Sequence, residues 1–153
     1  MARLSELPEA LAEHLRALPL PTFDDRPFVL GPPLSERRVA LISSAGLQRR
    51  GDTQWAPGEA GYRVIPGELP ASELMMSHIS VNYDRTGFQD DINVVFPIDR
   101  LTEMASRGEI GSVADVHYSF MGATDPEEMA PAAREIGRFL KDDGVNAVVL
   151  VPV

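Results

Sequence analysis

The chain has 153 residues, 44% hydrophobic and 24% charged, with a formal net charge of −9 and no cysteine. That is the length of one domain with a sizeable core. The negative charge disfavours a nucleic-acid backbone or an anionic membrane as partner, and the missing cysteines exclude a disulfide framework, a thiolate metal site and a cysteine nucleophile within these residues.

No run approaches the ~18 apolar residues of a membrane helix. Glu6, Glu9 and Glu13 interrupt anything resembling a signal-peptide core, so a cytoplasmic location is expected. Leu4, Leu7, Leu11, Leu15 and Leu18 recur at helical spacing, with Ser5 as N-cap and Pro8 in the first turn. His14 on this helix reads as a solvated surface residue. Pro19, Pro21, Pro27, Pro32 and Pro33 then make an extended arm that lies on a surface and covers a neighbouring subunit. Residues 1–35 are thus a helix and an arm, and 36–153 an α/β domain.

Arg38 to Gly46 reads as a buried strand ending in small residues that admit a ligand or backbone closely. With one glycine, no GxGxxG and no Walker lysine, it is not a phosphate loop. A loop follows over 47–61, in which Trp55 either plugs a core edge or lines a pocket. Tyr62–Pro66 and His78–Val81 are short strand candidates, and Ser72 caps a turn running through Met76. A polar loop spans Asn82–Asn93. A helix opening near Pro97 runs to about Ser106 and stops at Gly108. Val113–Met121 reads as a strand. Asp125-Pro126-Glu127-Glu128 opens the last helix with a cap, a first-turn proline and acids, and Asn146–Val153 is a final apolar strand. Alternating strands and helices with continuous apolar runs predict an open, mostly parallel, flavodoxin-like or Rossmann-like sheet with flanking helices.

In such sheets ligands bind off the carboxyl ends of the strands. Here the last strand ends at Val153, where an active-site loop would begin. The alternative is an edge or domain-swapped terminal strand, and topology does not choose between them.

Arg38–Gly46, Tyr62–Gly67, Asp90-Asp-Ile-Asn-Val-Val-Phe-Pro-Ile-Asp-Arg-Leu101, Gly108–Gly111 and His117-Tyr-Ser-Phe-Met-Gly122 resemble the selenoprotein B family, the B subunits of the glycine, sarcosine, betaine and D-proline reductases. The likeness covers about residues 36–153 and is nearest the short D-proline-reductase-like branch. It implies reductive cleavage of a carbon–nitrogen bond in an amino acid or amine. It further implies a selenocysteine or cysteine after Val153, with the chain cut short there or read as stopping at an in-frame selenocysteine codon. It also implies a partner reductase subunit carrying a carbonyl group, and no other cofactor in this chain; a homo-oligomer is also expected.

A selenolate or thiolate is a strong nucleophile at neutral pH, and a proton donor would activate the leaving amine. His117 and His78 are the candidate catalytic donors. Asp84, Asp90 and Asp91 would orient a histidine or bind a substrate ammonium, and Arg85 or Arg100 would hold a carboxylate. Asp84, Arg85, Asp90, Asp91, Asn93, Gly46 and Ser119 make up the candidate substrate-binding set. Plainer roles stand beside these. Asp99 is a first-turn acid, Arg100 pairs with it or with Glu103, Asp90-Asp91 is a solvated turn, and His117 is a core histidine. Two other functions stay open: a non-enzymatic small-ligand module or oligomeric scaffold, and a metal-dependent hydrolase or lyase using His78, Asp84, Asp91 and His117.

Overall fold

The computed structural model describes residues 4–19, 22, 28–80 and 85–153. The sheet is α/β and mostly parallel, as the strand–helix alternation predicts. Its centre is β1 (Arg38–Ser43), with β7 (Ala147–Val151) parallel on one side and β6 (Val116–Ser119) parallel on the other. A two-residue strand, β5 (Ser112–Val113), precedes β6 along the start of β1. β3 (Arg63–Pro66) borders β6 antiparallel. A separate antiparallel ribbon pairs β2 (Leu47–Arg49) with β4 (Leu74–Met76). The helices are α1 (Glu9–Ala17), α2 (Thr86–Asp90), α3 (Ile98–Ser106) and α4 (Pro126–Asp142). None is long and apolar enough to cross a membrane.

Alternate residues of each strand feed opposite cores, as a period of two requires. Val39, Leu41 and Ile65 pack with Phe96, Leu101 and Ile110 on one face. Ala40, Tyr118 and Phe120 pack with Ile136 and Leu140 of α4 on the other. Asp125 caps α4 by accepting the Glu127 N–H at 2.9 Å, with Pro126 in the first position. Trp55 is the plug: it is buried, and the Arg63 guanidinium lies 4.0 Å over its ring.

Several local expectations need correction: the loop expected over 82–93 holds α2, and where a turn capped by Ser72 is expected through Met76, β4 forms. The N-terminal helix breaks at Pro8, which adopts an extended ψ of 137°; Leu4–Glu6 is a 3-10 turn and Ser5 caps nothing. The stretch expected to be a loop contains β2, because Gly46 at φ +63° turns the chain back after β1. The strand expected at 78–81 does not form in its described part: the Ser80 N–H is taken by His78 Nδ1, and β4 pairs instead. The strand expected over Val113–Met121 is interrupted. Val39 faces Val113 but Ile42 faces Tyr118, so two residues of β1 stand opposite four of its neighbour.

Candidate functional site

The parallel strands give the sheet two unlike ends. At the amino end, Arg38 gathers partners from three elements. Its guanidinium binds Asp143 at 3.0 Å, Asp115 at 3.0 Å and the Val113 carbonyl at 2.8 Å. Asp143 holds the Arg38 pKa above its ordinary value. Asn146 accepts the Arg38 N–H, tying the start of β7 to the start of β1.

At the carboxyl end the materials are small. Ser44 Oγ accepts the Val153 N–H at 2.9 Å, and the Ser44 N–H donates to the Val151 carbonyl. Gly122 donates to the Ser44 carbonyl, and a Cβ on Gly122 would lie 2.7 Å from that oxygen. A Cβ on Gly46 would meet Met121 Cε at 2.9 Å and the His78 backbone at 3.2 Å. Ser44, Gly46, Gly122, the backbone of His78 and the tip of β7 therefore form one close-packed edge. This is the end of the sheet where α/β proteins bind ligands.

His78 is buried at this edge. Its Nδ1 accepts the Ser80 N–H at 3.1 Å, which leaves the ring proton of the neutral form on Nε2. Burial, and then the nearby Arg85 charge, push its pKa down. Arg85 donates to the carbonyls of His78 and Ser80, so it staples the His78 turn. Asp84 lies outside the described residues.

His117 lies elsewhere. It is fully buried, with its ring 5.5 Å edge-on from Phe96, and its Nδ1 accepts the Leu41 N–H at 3.0 Å. Burial lowers its pKa to about 4, so it is neutral at pH 7. Its Nε2 has no hydrogen-bond partner among the described residues and abuts Gly67, where a Cβ would sit 3.2 Å away. Leu41 faces Val149, four residues before Val153, so His117 sits roughly 13 Å back from the β7 tip at the usual strand rise.

Asp91 and Asn93 belong to a third place. Asp91 Oδ1 accepts the backbone and side-chain N–H groups of Asn93 at 2.9 and 2.8 Å. These bonds hold the Asp91 pKa down. Asn93 donates to Asp99 at 2.9 Å and accepts the Asp99 N–H, which joins the turn to the start of α3. Asp99, Thr102, Gly67 and Glu68 line a cleft of about 240 Å³ near the amino end of β6. Asp90 is exposed on α2, and Arg100 pairs with Glu103 at 3.1 Å. Ser119 is fully buried and accepts the Leu47 N–H at 2.8 Å, fixing the start of β2.

The structure thus brings Gly46, His78 and Arg85 together and separates them from His117 and from the Asp91–Asn93 network. Among the described residues no three His, Asp or Glu side chains converge to hold a metal ion. Sequence reasoning missed Ser44, although the run Ser43-Ser44-Ala45-Gly46 after an apolar strand is its signal. It also missed Arg134, which with Phe120, Pro126 and Met129 lines a shallow apolar groove of about 470 Å³ where α4 meets the end of β6. No motif announced that residue.

The family model for glycine/sarcosine/betaine reductase selenoprotein B (GRDB) matches residues 13–153. The chain is 37% identical over 123 residues to the D-proline reductase subunit gamma of Acetoanaerobium sticklandii, covering 76% of this chain and 49% of that one. It is 30% identical over 141 residues to the glycine reductase complex component B subunit gamma of Carboxydothermus hydrogenoformans, covering 87% and 32%. It is 28% identical over 150 residues to the betaine reductase complex component B subunit beta of Peptoclostridium acidaminophilum, covering 90% and 33%. The chain spans between a third and a half of the length of these relatives. No solved structure matches it significantly.

Proposed function

Since the chain belongs to the glycine/sarcosine/betaine reductase selenoprotein B family, we propose that it forms part of a reductase B subunit that cleaves a carbon–nitrogen bond of an amino acid or amine. The nucleophile is a selenocysteine or cysteine carried by polypeptide following Val153. One observation carries this reading: β7 delivers its tip to the Ser44–Gly46–Gly122 edge beside His78.

In this reading the selenolate or thiolate attacks the carbon bearing nitrogen. The C–N bond breaks with its electron pair on nitrogen, and the amine leaves as it takes a proton. An external dithiol then reduces the carbon–selenium or carbon–sulfur bond and is itself oxidised. His78 is the hydrogen-bond donor at this edge, because it is the histidine on the same side of the sheet as the β7 tip. Its neutral ring offers the Nε2–H to the departing nitrogen, which takes up its proton from solvent. Ser44 sets where the nucleophile enters by holding Val153. Arg134, which has no carboxylate partner among the described residues, supplies a guanidinium for a substrate carboxylate next to an apolar wall. The relatives' names describe components of multi-subunit complexes, which supports a partner subunit for the whole protein.

The gene sequence beyond the Val153 codon tests this. The expected result is a UGA or cysteine codon within the first few positions, followed by a helix–strand pair. A different stop codon, or a continuation lacking both residues, leaves only the binding-module reading. With the longer polypeptide in hand, amine-dependent oxidation of a dithiol is expected, and His78→Ala should lower its kcat more than its KM.

A further inference from the structure

Gln48, in the middle of β2, is only 1% exposed. Burying a side-chain amide costs free energy unless its oxygen and its nitrogen both find partners, whereas methionine would fill similar space without that cost. Here both ends are bonded. Gln48 Nε2 donates to the Asp52 carbonyl at 3.2 Å, and Gln48 Oε1 accepts the Ser77 hydroxyl at 2.8 Å. The first bond closes the turn that follows β2. The second reaches across the ribbon, 29 residues along the chain, to the residue immediately before His78.

Ser77 is therefore held twice. Its N–H donates to the Gly46 carbonyl at 3.1 Å, and its hydroxyl is fixed by Gln48. Gln48 is itself anchored from β6, because Ser119 Oγ accepts the N–H of neighbouring Leu47 and the Gly46 N–H donates to the Phe120 carbonyl. A line of bonds thus runs from β6 through β2 to the threshold of His78. Beyond His78 the chain is held again. The Ser80 N–H donates to His78 Nδ1, and Arg85 donates to the carbonyls of His78 and Ser80. Between the two anchors, the His78 backbone lies 3.2 Å from where a Cβ on Gly46 would sit. The Ser80 bond to Nδ1 exists only while residues 77–80 keep this path, so the anchor before His78 bears on its ring as well as on its backbone.

We propose that Gln48 is a positioning residue for His78. Through the Ser77 hydroxyl it fixes where the chain leaves β4. It thereby keeps the imidazole at the Gly46 edge, with Nδ1 toward the Ser80 N–H and the ring proton on Nε2. Gln48 touches no reacting atom and acts only through Ser77. A hydrocarbon in its place would leave β2 paired with β4, since that pairing is made by main chain, but it would release the Ser77 hydroxyl. Small displacements of a positioned group are costly to a reaction, which is why a fully bonded amide is worth burying here. The inference rests on the reading of His78 as the donor at this edge, and its test does not require catalysis.

Long-range proton–nitrogen NMR of the histidine rings reports the tautomers of His78 and His117 in one spectrum. In the parent chain both are expected with the proton on Nε2, since Nδ1 of each accepts a backbone N–H. Gln48→Met removes both amide bonds. Ser77→Ala removes the hydroxyl alone and serves if the first variant folds poorly. Each is expected to raise the Nδ1–H fraction of His78 about threefold or more and to leave His117 as it was. Ser77→Thr, which keeps a hydroxyl, is expected to match the parent. In the longer polypeptide Gln48→Met should lower kcat for amine-dependent dithiol oxidation about tenfold with little change in KM. The proposal is overturned if His78 keeps its single tautomer in both variants, or if His78 and His117 change together, which would be general loosening. If His78 alone responds while the longer polypeptide oxidises no dithiol, Gln48 still positions His78 and it is the reductase reading that fails.

Discussion

At its amino end β1 is closed by charge, and at its carboxyl end by hydroxyls and glycines. Arg38 ties three elements together through Asp143, Asp115 and the Val113 carbonyl. Ser44, Gly46 and Gly122 tie as many elements together with backbone bonds and close approach. The first end is held by ion pairs that are partly exposed to solvent and salt. The second has no ion pair among the described residues, admits backbone to within contact distance, and holds a histidine. Ion pairing and close backbone approach are thus placed at opposite ends of the same strands. Four experiments bear on that division.

The largest effect is expected at the glycine end. Gly122→Val puts a branched side chain against the Ser44 carbonyl, where even a Cβ stands at 2.7 Å. It should destabilise the fold by about 3 kcal/mol or more, read by urea denaturation. A loss under 1 kcal/mol would show that the edge yields and is not closely built.

Between the ends, His117 makes stability depend on pH. Its folded pKa of about 4 lies below the usual histidine value. The unfolded chain therefore binds the proton more readily, and stability falls as pH drops from about 6.5 to about 4. The loss should be on the order of 3 kcal/mol. His117→Gln, which keeps an acceptor for the Leu41 N–H, should flatten that slope in acid-titrated melting curves. An unchanged slope would move its origin to carboxylates elsewhere.

At the charged end, Arg38→Met keeps most of the side-chain stem and removes the guanidinium. A loss of about 1–2 kcal/mol is expected, chiefly from the orphaned carbonyls and Asp143, since Asp115 is largely exposed. Adding salt to the parent protein should reproduce only part of it.

The smallest effect is expected for Ser44→Ala, about 1 kcal/mol. Its signature is local. The Val153 amide should lose its protection in hydrogen exchange while the Leu41 amide keeps its own. Equal loss at both would mean that the β7 tip is not held separately from the core.

Much of this division could be read before the fold was known. The apolar runs of β1 and β7, the Asp125-Pro126 start of α4 and the small residues after Ser43 all speak through local preference. The resemblance found the family from long blocks such as Asp90–Leu101. The site was less legible. His117 and His78 look alike in sequence, each beside an apolar run, and only the register shows that one faces Phe96 while the other lies against Gly46. Asp91 and Asn93 look like ligands because they are polar and close together. Their bonds to each other and to Asp99 run across a six-residue span that only a folded turn brings within reach. The ribbon of β2 and β4 was hidden because its two short strands lie 24 residues or more apart and have no pattern of their own.

The interruption between β5 and β6 adds an even number of residues. Side chains along a strand alternate in facing, so an even slip leaves every later residue on its original side. Val113 before the break and His117 after it still point toward the Phe96 core, while Tyr118 and Phe120 still point toward α4. Deleting both Ala114 and Asp115 would shorten the segment and preserve that parity. Deleting either one alone would turn the His117–Phe120 segment inside out, exchanging its imidazole and serine for two aromatic rings.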